Sequence, residues 1–252
     1  MYTDFAYAYD RLMSDVPYEA WARYYAGLLD VYNVKPGARC IECACGTGSL
    51  TIPLALLGYR MTGMDLSEQM LNLAQQKARE RGVSIPFIRM DMRRLCVQRP
   101  VDAILATCDG VNYLLDDTDL RSFLRRAYDS LKPGGVLAFD VSTPYKLSSA
   151  LGDRIFTASE DQLVYVWQGE LQAEKRVLDI HLDIFAEEAS GMYRRIQEDQ
   201  RQRAYERDEL FSSLNAAGFS NVQIFGDRTM TDPEPDCLRW HIIAQKRSIT
   251  DP

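Results

Sequence analysis

One segment constrains the fold more than any other: a short apolar run that ends in two closely spaced glycines and leads into a helix-like stretch. It spans Cys40 to Leu50 and reads CIECACGTGSL. A strand that turns at glycines into a helix brings its backbone close to a ligand and points helix N–H groups at it. The third glycine of a dinucleotide fingerprint would stand at Thr51, so a pyrophosphate is disfavoured, whereas Glu42 suits a cationic group.

From about Pro36 to Val141, short apolar runs alternate with longer amphipathic ones, a pattern typical of β-α-β units on a parallel sheet. The predicted strands are Arg39–Cys43, Arg60–Asp65, Ile85–Arg89, Ala103–Thr107 and Val136–Val141. The predicted helices are Gly48–Leu57, a segment from an N-cap at Ser67 to about Gly82, and Asp117–Leu131. Asp65 would then end the second strand, where a carboxylate can accept both hydroxyls of a ribose.

After the last of these strands, several strand-like runs follow one another without helices between them. Val177–Phe185 alternates strictly, which predicts one apolar face and one polar face that bears His181. Leu163–Trp167 and Met192–Arg203 are the predicted partners of this strand. The chain then returns to a helix and two strands, Glu206–Ala217, Val222–Phe225 and Leu238–Gln245. An antiparallel sheet is therefore expected to interrupt the α/β core.

The charge of the chain is concentrated in the inserted sheet. The 252 residues have a formal net charge of −7, and residues 151–209 alone carry 14 acidic and 8 basic side chains. Phosphate contacts need clustered lysines and arginines, so this acidic balance argues against a nucleic-acid partner. The acidic insertion has two interpretations: a solvated sheet face, or an electric field that favours a cationic acceptor.

Cysteine usage and hydropathy exclude further classes. The six cysteines are too few and too unevenly placed for a disulfide framework. Cys40 and Cys43 form a CxxC pair with no second pair and no nearby histidine, so no metal site is expected. No apolar run approaches the roughly 18 residues that cross a bilayer, and the first residues do not read as a signal peptide. We therefore expect a cytoplasmic protein with no membrane partner.

The order of the motifs resembles that of the class I S-adenosylmethionine-dependent methyltransferases. Glu42–Gly48 resembles their first motif, Asp/Glu-x-Gly/Ala-x-Gly-x-Gly, and Asp65 resembles the acid of the second motif, which binds the ribose. Asp91 resembles the acid that the family places on the adenine amino group, with the backbone of Met92 on the ring. Leu131–Gly135 resembles the LKPGG turn before the fifth strand.

This resemblance implies a doubly wound, seven-stranded Rossmann-like sheet with an inserted antiparallel sheet as a lid. The core would comprise residues 1–145 and 206–252, and residues 146–205 would cover the acceptor site. S-adenosylmethionine would be the cofactor and S-adenosylhomocysteine the product. The residues implied to bind the cofactor are Tyr9, Trp21, Glu42, Ala44, Gly46, Gly48, Asp65, Leu66, Met70, Asp91, Met92 and Cys108.

Four shorter segments resemble a narrower subgroup, the YqeM-like methyltransferases, which are related to glycine and amino-sugar N-methyltransferases. These segments are FAYAYDRLM at 5–13, PYEAW at 17–21, CDGVNY at 108–113 and QRAY at 202–205. In the wider group, an N-terminal tyrosine and a later aromatic residue or arginine hold the methionine part of the donor. The resemblance implies that Tyr9 and Trp21 are the corresponding residues of this sequence. Gln200 stands where relatives often have histidine, so a proton-transfer role at that position does not carry over to this chain from the resemblance.

The acceptor-side candidates are Asp109, Asn112 and Tyr113, which follow the fourth strand at the edge where open α/β sheets bind ligands, and His181, a candidate base. The simpler interpretation is that Asn112 and Tyr113 only begin the next helix and that His181 is solvated. No catalytic residue is assigned, because a base is needed only for a protonated acceptor.

We predict methyl transfer to a small molecule, with an amine as one candidate, and a homodimer is compatible with the resemblance. The alternatives are an RNA or protein acceptor, a donor-binding protein without turnover, and a nicotinamide-dependent oxidoreductase. Thr51 in place of glycine counts against the last of these. The identity of the acceptor is not encoded in any motif of the chain.

Overall fold

The computed structural model describes residues 5–160, 163–188 and 190–248, and within them the chain forms two separate sheets. The strands are β1 Arg39–Cys43, β2 Arg60–Asp65, β3 Phe87–Arg89, β4 Val101–Ala106, β5 Leu131–Ser142, β6 Ile155–Glu160, β7 Leu163–Gln172, β8 Val177–Glu187, β9 Tyr193–Arg203, β10 Phe219–Phe225 and β11 Arg239–Lys246. The helices are α1 Phe5–Leu12, α2 Tyr18–Val31, α3 Thr51–Leu56, α4 Glu68–Glu80, α5 Asp117–Ser130 and α6 Arg207–Ala217.

The larger sheet has seven strands among the described residues, in the order β10-β11-β5-β4-β1-β2-β3. Strands β1 to β5 run parallel, and β11 pairs antiparallel with β5 and with β10. The chain proceeds from β1 to β3 in one direction and then crosses to β4 on the other side of β1. This reversal between β1 and β4 is the topological switch point, where α/β sheets of this kind bind their ligands.

Helices cover both faces of this sheet, which confirms the predicted doubly wound α/β architecture. Apolar residues of α5 and α6, such as Phe123 and Leu214, pack on one face. Residues of α2, α3 and α4, such as Leu28, Leu54 and Ala78, pack on the other. No helix among the described residues is long and apolar enough to cross a membrane.

The sequence patterns located the core elements closely. β1 and β2 have the predicted bounds, and Ser67 caps α4 by accepting a hydrogen bond from the N–H of Met70 at 3.3 Å. α3 begins at Thr51 and not at Gly48, because Gly48 has a left-handed φ of +73°. β3 begins at Phe87, since the preceding Pro86 has no N–H to donate to the sheet.

The smaller sheet is antiparallel, in the order β6-β7-β8-β9, which confirms the predicted insertion. Its edge strand β6, with the sequence IFTASE, was not predicted, because it lacks the strict apolar alternation of β8. The predicted apolar face of β8 is buried, and Leu182 and Ile184 pack with Phe5 of α1. The division into a core of residues 1–145 and 206–252 and an insertion of residues 146–205 stays a prediction, and residues 1–4 and 249–252 lie outside the described residues.

Candidate active site

A cavity of about 500 Å³ lies at the carboxyl edge of the larger sheet, at the switch point between β1 and β4. Its walls come from α1, the start of α2, the ends of the parallel strands and the inserted sheet. Ten of the twelve residues predicted to bind the cofactor line it: Tyr9, Glu42, Ala44, Gly46, Asp65, Leu66, Met70, Asp91, Met92 and Cys108. The motif residues therefore converge on one space.

The two glycines of the loop after β1 have different roles. Gly46 lines the cavity with a φ of +53°, and a Cβ built on it would meet no atom within 4 Å, so the space in front of it is open. A Cβ on Gly48 would come within 3.1 Å of the Cβ of Ala74 and 3.3 Å of the Phe87 ring. Gly48 does not line the cavity. Its left-handed backbone and the close packing around it are the reasons that this position requires a glycine.

Glu42 is a buried carboxylate at the cavity, with 2% of its surface exposed. One carboxylate oxygen accepts a hydrogen bond from the Thr107 hydroxyl at 2.6 Å, and the other accepts from the Thr51 hydroxyl. Burial raises the pKa of Glu42 to about 7, although both hydroxyls act to lower it. A cation in the cavity would compensate this charge.

Asp65 ends β2 and fixes the loop that carries Gly46. Its two oxygens accept hydrogen bonds from the N–H of Gly46 and the N–H of Ser67, both at 2.8 Å. Burial raises its pKa, against the lowering effect of these N–H groups. Each carboxylate oxygen has two acceptor positions, so Asp65 can still accept hydroxyl groups from the cavity.

Asp91 is paired with an arginine to which no sequence motif points. The Arg93 guanidinium lies 2.6 Å from one oxygen of Asp91 and also reaches Asp119 at 2.8 Å. This pairing lowers the pKa of Asp91 and keeps it an ionised acceptor. Arg93 and Asp119 line the cavity beside Met92, but no motif of the sequence pointed to them.

The loops after β1 and β4 hold three non-glycine residues in the left-handed region. Ala44, Cys108 and Asp109 have φ values of 51°, 55° and 65°. Such residues cost free energy, so they persist only where surrounding contacts fix them, and they cluster at functional sites. Gly110 fits beneath Ala44, because a Cβ on it would lie 3.1 Å from the Ala44 Cβ. Burial raises the pKa of Cys108 to about 12, which keeps its thiol protonated.

Aromatic side chains form the wall of the cavity nearest to α1 and α2. Phe5, Tyr9 and Tyr18 all line it, and burial raises the pKa of both tyrosines, so their hydroxyls are neutral. The predicted Trp21 does not line the cavity. It is buried behind the wall, 5.0 Å from the Arg239 guanidinium, and Tyr18, one helical turn earlier, takes the place at the cavity.

Tyr113 is the acceptor-side candidate that the structure brings to the cavity. Its hydroxyl donates a hydrogen bond to the side-chain oxygen of Gln200 on β9 at 2.8 Å, and both residues line the cavity. This contact joins the core to the inserted sheet directly at the site. Gln200 was noted in the sequence only as a departure from the family pattern.

Asp109 and Asn112 lie beside the cavity and fasten its loop. The Asp109 carboxylate pairs with Arg239 at 2.6 Å and accepts a hydrogen bond from the Ser142 hydroxyl at 2.8 Å. The Asn112 amide donates to the backbone oxygens of Ser142, at 3.1 Å, and of Arg203, at 2.8 Å. Neither residue lines the cavity, and their polar groups are occupied by these contacts.

His181 lies on the outer face of the inserted sheet, opposite to the face that packs on α1. It pairs with Asp199 at 2.5 Å and with Asp183 at 3.5 Å, and Asp199 raises its pKa. The structure therefore does not bring this candidate base to the cavity. Among the described residues, no cluster of three or more His, Cys, Asp or Glu side chains could hold a metal ion.

The QRAY segment docks the inserted sheet onto the core. Buried Arg203 pairs with Asp117 at 2.7 Å and with Glu209, and its guanidinium lies over the Tyr205 ring at 4.8 Å. The Tyr205 hydroxyl donates to the backbone oxygen of Leu114, directly after Tyr113. This segment therefore fixes the strand that carries Gln200 to the loop that carries Tyr113.

The sequence of the chain is similar to proteins described as methyltransferases. A family model described as "Methyltransferase domain" matches residues 40–135. The protein named "Putative methyltransferase YqeM" from Bacillus subtilis (strain 168) is 32% identical over 247 residues, which cover 98% of this chain and 97% of the relative. A relative of the same description from Geobacillus sp. (strain WCH70) is 36% identical over 245 residues, which cover 97% and 99% of the two chains.

The fold is similar to solved methyltransferase structures along nearly the whole chain. An S-adenosylmethionine-dependent methyltransferase from Clostridium acetobutylicum ATCC 824 superposes with a TM-score of 0.89 at 26% identity, covering 98% of this chain and 99% of the other. CalS10, an amino pentose methyltransferase from Micromonospora echinaspora solved with its donor, has a TM-score of 0.76 at 19% identity and covers 95% and 96% of the two chains. At 19% identity, the likeness to CalS10 concerns the fold alone.

Proposed function

The chain belongs to the methyltransferase family that includes YqeM, and we propose that it transfers the methyl group of S-adenosylmethionine to a small molecule that carries an amine. The family establishes the enzyme class and the cofactor. The residues that bind the cofactor, the acceptor and the atom that is methylated belong to the proposal. The predictions about nucleic acid and about a homodimer stay predictions.

The observation that carries the proposal is that three carboxylates line one cavity. Glu42 lies near the end of β1, Asp65 ends β2, and Asp91 follows β3 by two residues. Glu42 suits the ammonium group of the donor, because it is buried, acceptor-only when ionised, and lacks a cationic partner among the described residues. Asp65 suits the ribose hydroxyls, and Asp91 suits the adenine amino group. The open space at Gly46 leaves room for the ligand between them.

The same carboxylates argue against a nicotinamide dinucleotide. A diphosphate beside Glu42 and Asp65 would bring like charges together where burial strengthens their repulsion. The cavity offers no lysine for a phosphate among the described residues that line it, and Arg93 is already paired with two aspartates. These carboxylates fit a ligand that carries a cation and hydroxyl groups, as S-adenosylmethionine does.

When bound, S-adenosylmethionine supplies a methyl group on a sulfonium whose positive charge disappears during transfer. The chain contributes alignment and exclusion of water. Positioning of two reactants can lower a barrier by roughly 7 kcal/mol or more, so no acid or base is required for an acceptor that is already neutral. The hydroxyls of Tyr9 and Tyr18 are neutral, and the Cys108 thiol is protonated. None of these three groups therefore competes with the acceptor for the methyl group.

Two features support a small acceptor. The inserted sheet contacts the core at the cavity through Tyr113 and Gln200, so this sheet forms part of the cavity wall. The insertion is also acidic, with 14 acidic and 8 basic side chains in residues 151–209, which disfavours a polyanionic substrate. CalS10, which shares the fold, is named for an amino sugar, and this supports an amine as the acceptor class.

Calorimetric titration with S-adenosylmethionine and S-adenosylhomocysteine tests the donor site directly. We expect saturable binding of both, with one site per chain. A second assay follows transfer of a deuterated methyl group to a small-molecule extract by mass spectrometry. Absence of donor binding at millimolar concentration would contradict the proposed function, and transfer to RNA or protein in preference to small molecules would contradict the acceptor class.

A further inference from the structure

The inserted sheet reaches the cavity through one side chain. Among the described residues that line the cavity, Gln200 of β9 is the one that belongs to this sheet. In the strand pairing it stands opposite Ile180 of β8, whose side chain is buried. If the insertion covers the acceptor, the group that it presents to a bound molecule is therefore a carboxamide.

The Gln200 amide is held by its oxygen. Its Oε1 atom accepts a hydrogen bond from the Tyr113 hydroxyl at 2.8 Å, and its Nε2 group has no hydrogen-bond partner among the described residues. A carboxamide carries two N–H donors on that nitrogen. Turning the oxygen toward a ligand would break the contact with Tyr113, so the N–H groups are the part of this side chain that a ligand can use.

The backbone on both sides of this contact is fixed. Asn112, next to Tyr113, donates a hydrogen bond to the backbone oxygen of Arg203 at 2.8 Å. The Tyr205 hydroxyl donates to the backbone oxygen of Leu114, on the other side of Tyr113. The loop after β4 is therefore tied at two points to the segment that directly follows the amide. A donor that is held in place before binding loses little conformational entropy when a ligand arrives.

The contact between Tyr113 and Gln200 lies on the β4 side of the cavity. Glu42, Asp65 and Asp91 are at or near the ends of β1, β2 and β3. Tyr113 follows β4, which is on the other side of β1 in the sheet. A donor molecule bound along the three carboxylates therefore leaves the β4 side of the cavity for the acceptor.

The charges around the cavity favour an uncharged oxygen as the partner of this amide. Among the described residues that line the cavity, Arg93 is the one cation, and it already pairs with Asp91 and Asp119. The insertion itself carries 14 acidic and 8 basic side chains in residues 151–209. An acceptor carboxylate would lack a counter-charge here, whereas a hydroxyl or ether oxygen can accept the hydrogen bond without needing one.

We propose that the Gln200 amide donates a hydrogen bond to an uncharged oxygen of the methyl acceptor, so that the acceptor is an amine that also carries a hydroxyl or ether oxygen. Amino alcohols and amino sugars have both groups. The proposal rests on the proposed function and deepens it, because it names a second group through which the amine is recognised. Gln200 is then a specificity-determining residue, and Tyr113 is a positioning residue that acts through it.

The test measures transfer of a deuterated methyl group to pairs of amines in which an oxygen replaces a methylene group: 2-methoxyethylamine with butylamine, and 4-aminotetrahydropyran with cyclohexylamine. These ether oxygens accept hydrogen bonds and donate none. The measured quantity is the ratio of kcat/KM within each pair, the oxygen-bearing amine over its partner. Differences in amine basicity affect every variant alike, so they cancel when this ratio is compared between variants.

Gln200→Met removes the amide at nearly constant length, and Gln197→Met is the matched control. Gln197 lies exposed on the outer face of the same strand, opposite Asp183. We expect Q200M to lower the ratio by about tenfold, because an N–H group to the ether oxygen is lost, and Q197M to keep it within about twofold of the wild type.

Two further variants separate the N–H groups from the contact with Tyr113. Gln200→Glu keeps an oxygen for the Tyr113 hydroxyl but has no N–H, so it should lower the ratio as much as Q200M does. Tyr113→Phe keeps the amide but releases it, so it should lower the ratio less, by about threefold. A wild-type ratio in Q200E would overturn the role of the N–H groups, and a wild-type ratio in Y113F would overturn the positioning role of Tyr113.

Calorimetry with S-adenosylmethionine separates this proposal from the proposed function. Failure of the wild type to bind the donor would overturn the proposed function. With normal donor binding, the role of Gln200 alone would be overturned by no transfer to either oxygen-bearing amine or by an equal ratio in the wild type and Q200M. A kcat/KM for β-alanine, whose oxygens are those of a carboxylate, that equals or exceeds the values for the two ethers would overturn the choice of an uncharged oxygen.

Discussion

Replacing Glu42 with glutamine tests the donor site through its response to pH. The glutamine keeps the size of the side chain and at least one of the hydrogen bonds with Thr51 and Thr107, but it removes the titration. In the wild type without ligand, burial raises the pKa of Glu42 to about 7 from its ordinary 4.5. If an ammonium binds there, it requires the ionised form.

The size of the effect follows from that difference in pKa. A change from 4.5 to about 7 corresponds to about 3 kcal/mol between the protonated and ionised forms. Donor affinity should therefore rise by roughly 30-fold between pH 5.5 and pH 8 and level off above pH 7, because below pH 7 the donor must displace a proton. By the same linkage, the stability of the empty enzyme falls as the pH rises from 4.5 to about 7, since the folded form binds the extra proton.

Isothermal titration calorimetry with S-adenosylmethionine and S-adenosylhomocysteine at pH 5.5, 7 and 8, in buffers of different ionisation enthalpy, measures both affinity and proton release. We expect proton release in the wild type below pH 7 and none attributable to this site in E42Q, which should bind weakly at every pH. Asp102→Asn is the control, because Asp102 accepts hydrogen bonds from Arg39 and Lys132 outside the cavity. A pH dependence that is identical in the wild type and E42Q would refute the assignment.

Three further variants test other parts of the site. Asp65→Ala should weaken donor binding by about 1.5–3 kcal/mol through loss of charge-assisted hydrogen bonds, and unchanged affinity by calorimetry would mean that the ribose binds elsewhere. Arg239→Met should destabilise the fold by about 3–5 kcal/mol in urea unfolding, because it leaves buried Asp140 without its cation and Asp109 with only Lys146, at 3.7 Å. A near-neutral effect would contradict that role. Asp199 raises the pKa of His181, so their pair stabilises below pH 6.5 and is lost as the pH rises through the higher native pKa. His181→Gln should therefore melt below the wild type at pH 6 but not at pH 9, and equal melting at both values would show that the pair contributes nothing.

The convergence of the proposed donor residues on one cavity was predictable, because their positions are set along successive strands. A carboxylate at or just beyond the end of a parallel strand reaches the ligand edge of the sheet whatever packs around it. Glu42 and Asp65 required only the strand bounds, which the apolar runs gave correctly. Arg93 was not predicted, because its nearness to Asp91 does not distinguish it from Arg94 and its second partner, Asp119 on α5, is distant in the sequence.

The orientation of α2 could not be predicted from its sequence. Tyr18 and Trp21 lie one helical turn apart, and either could face the cavity on periodicity alone. In the folded chain Trp21 packs behind the wall, with the Arg239 guanidinium over its ring at 5.0 Å and the His241 ring at 5.7 Å. Because Arg239 follows α2 by more than 200 residues, only the folded chain brings the two together.

The inner face of the inserted sheet was equally hidden. β8 alternates apolar and charged residues, so its two faces were assigned correctly from the sequence. β9 carries polar residues at nearly every position, and nothing in its sequence shows that Glu198 faces inward and Asp199 outward. That information lies in the register, which pairs Glu198 with buried Leu182 and Asp199 with His181.

The buried polar contacts around Asp109 explain how the acceptor side keeps its shape. Two consecutive left-handed residues, Cys108 and Asp109, would relax if the chain after β4 were free, because each costs of the order of 1 kcal/mol or more. Arg239 and the Ser142 hydroxyl hold the Asp109 side chain, and Asn112 joins the same loop to the last residue of β9. Substitutions at the cavity wall should therefore change which acceptor binds without moving the loop, whereas loss of Arg239 should disturb both the loop and the donor side through Cys108.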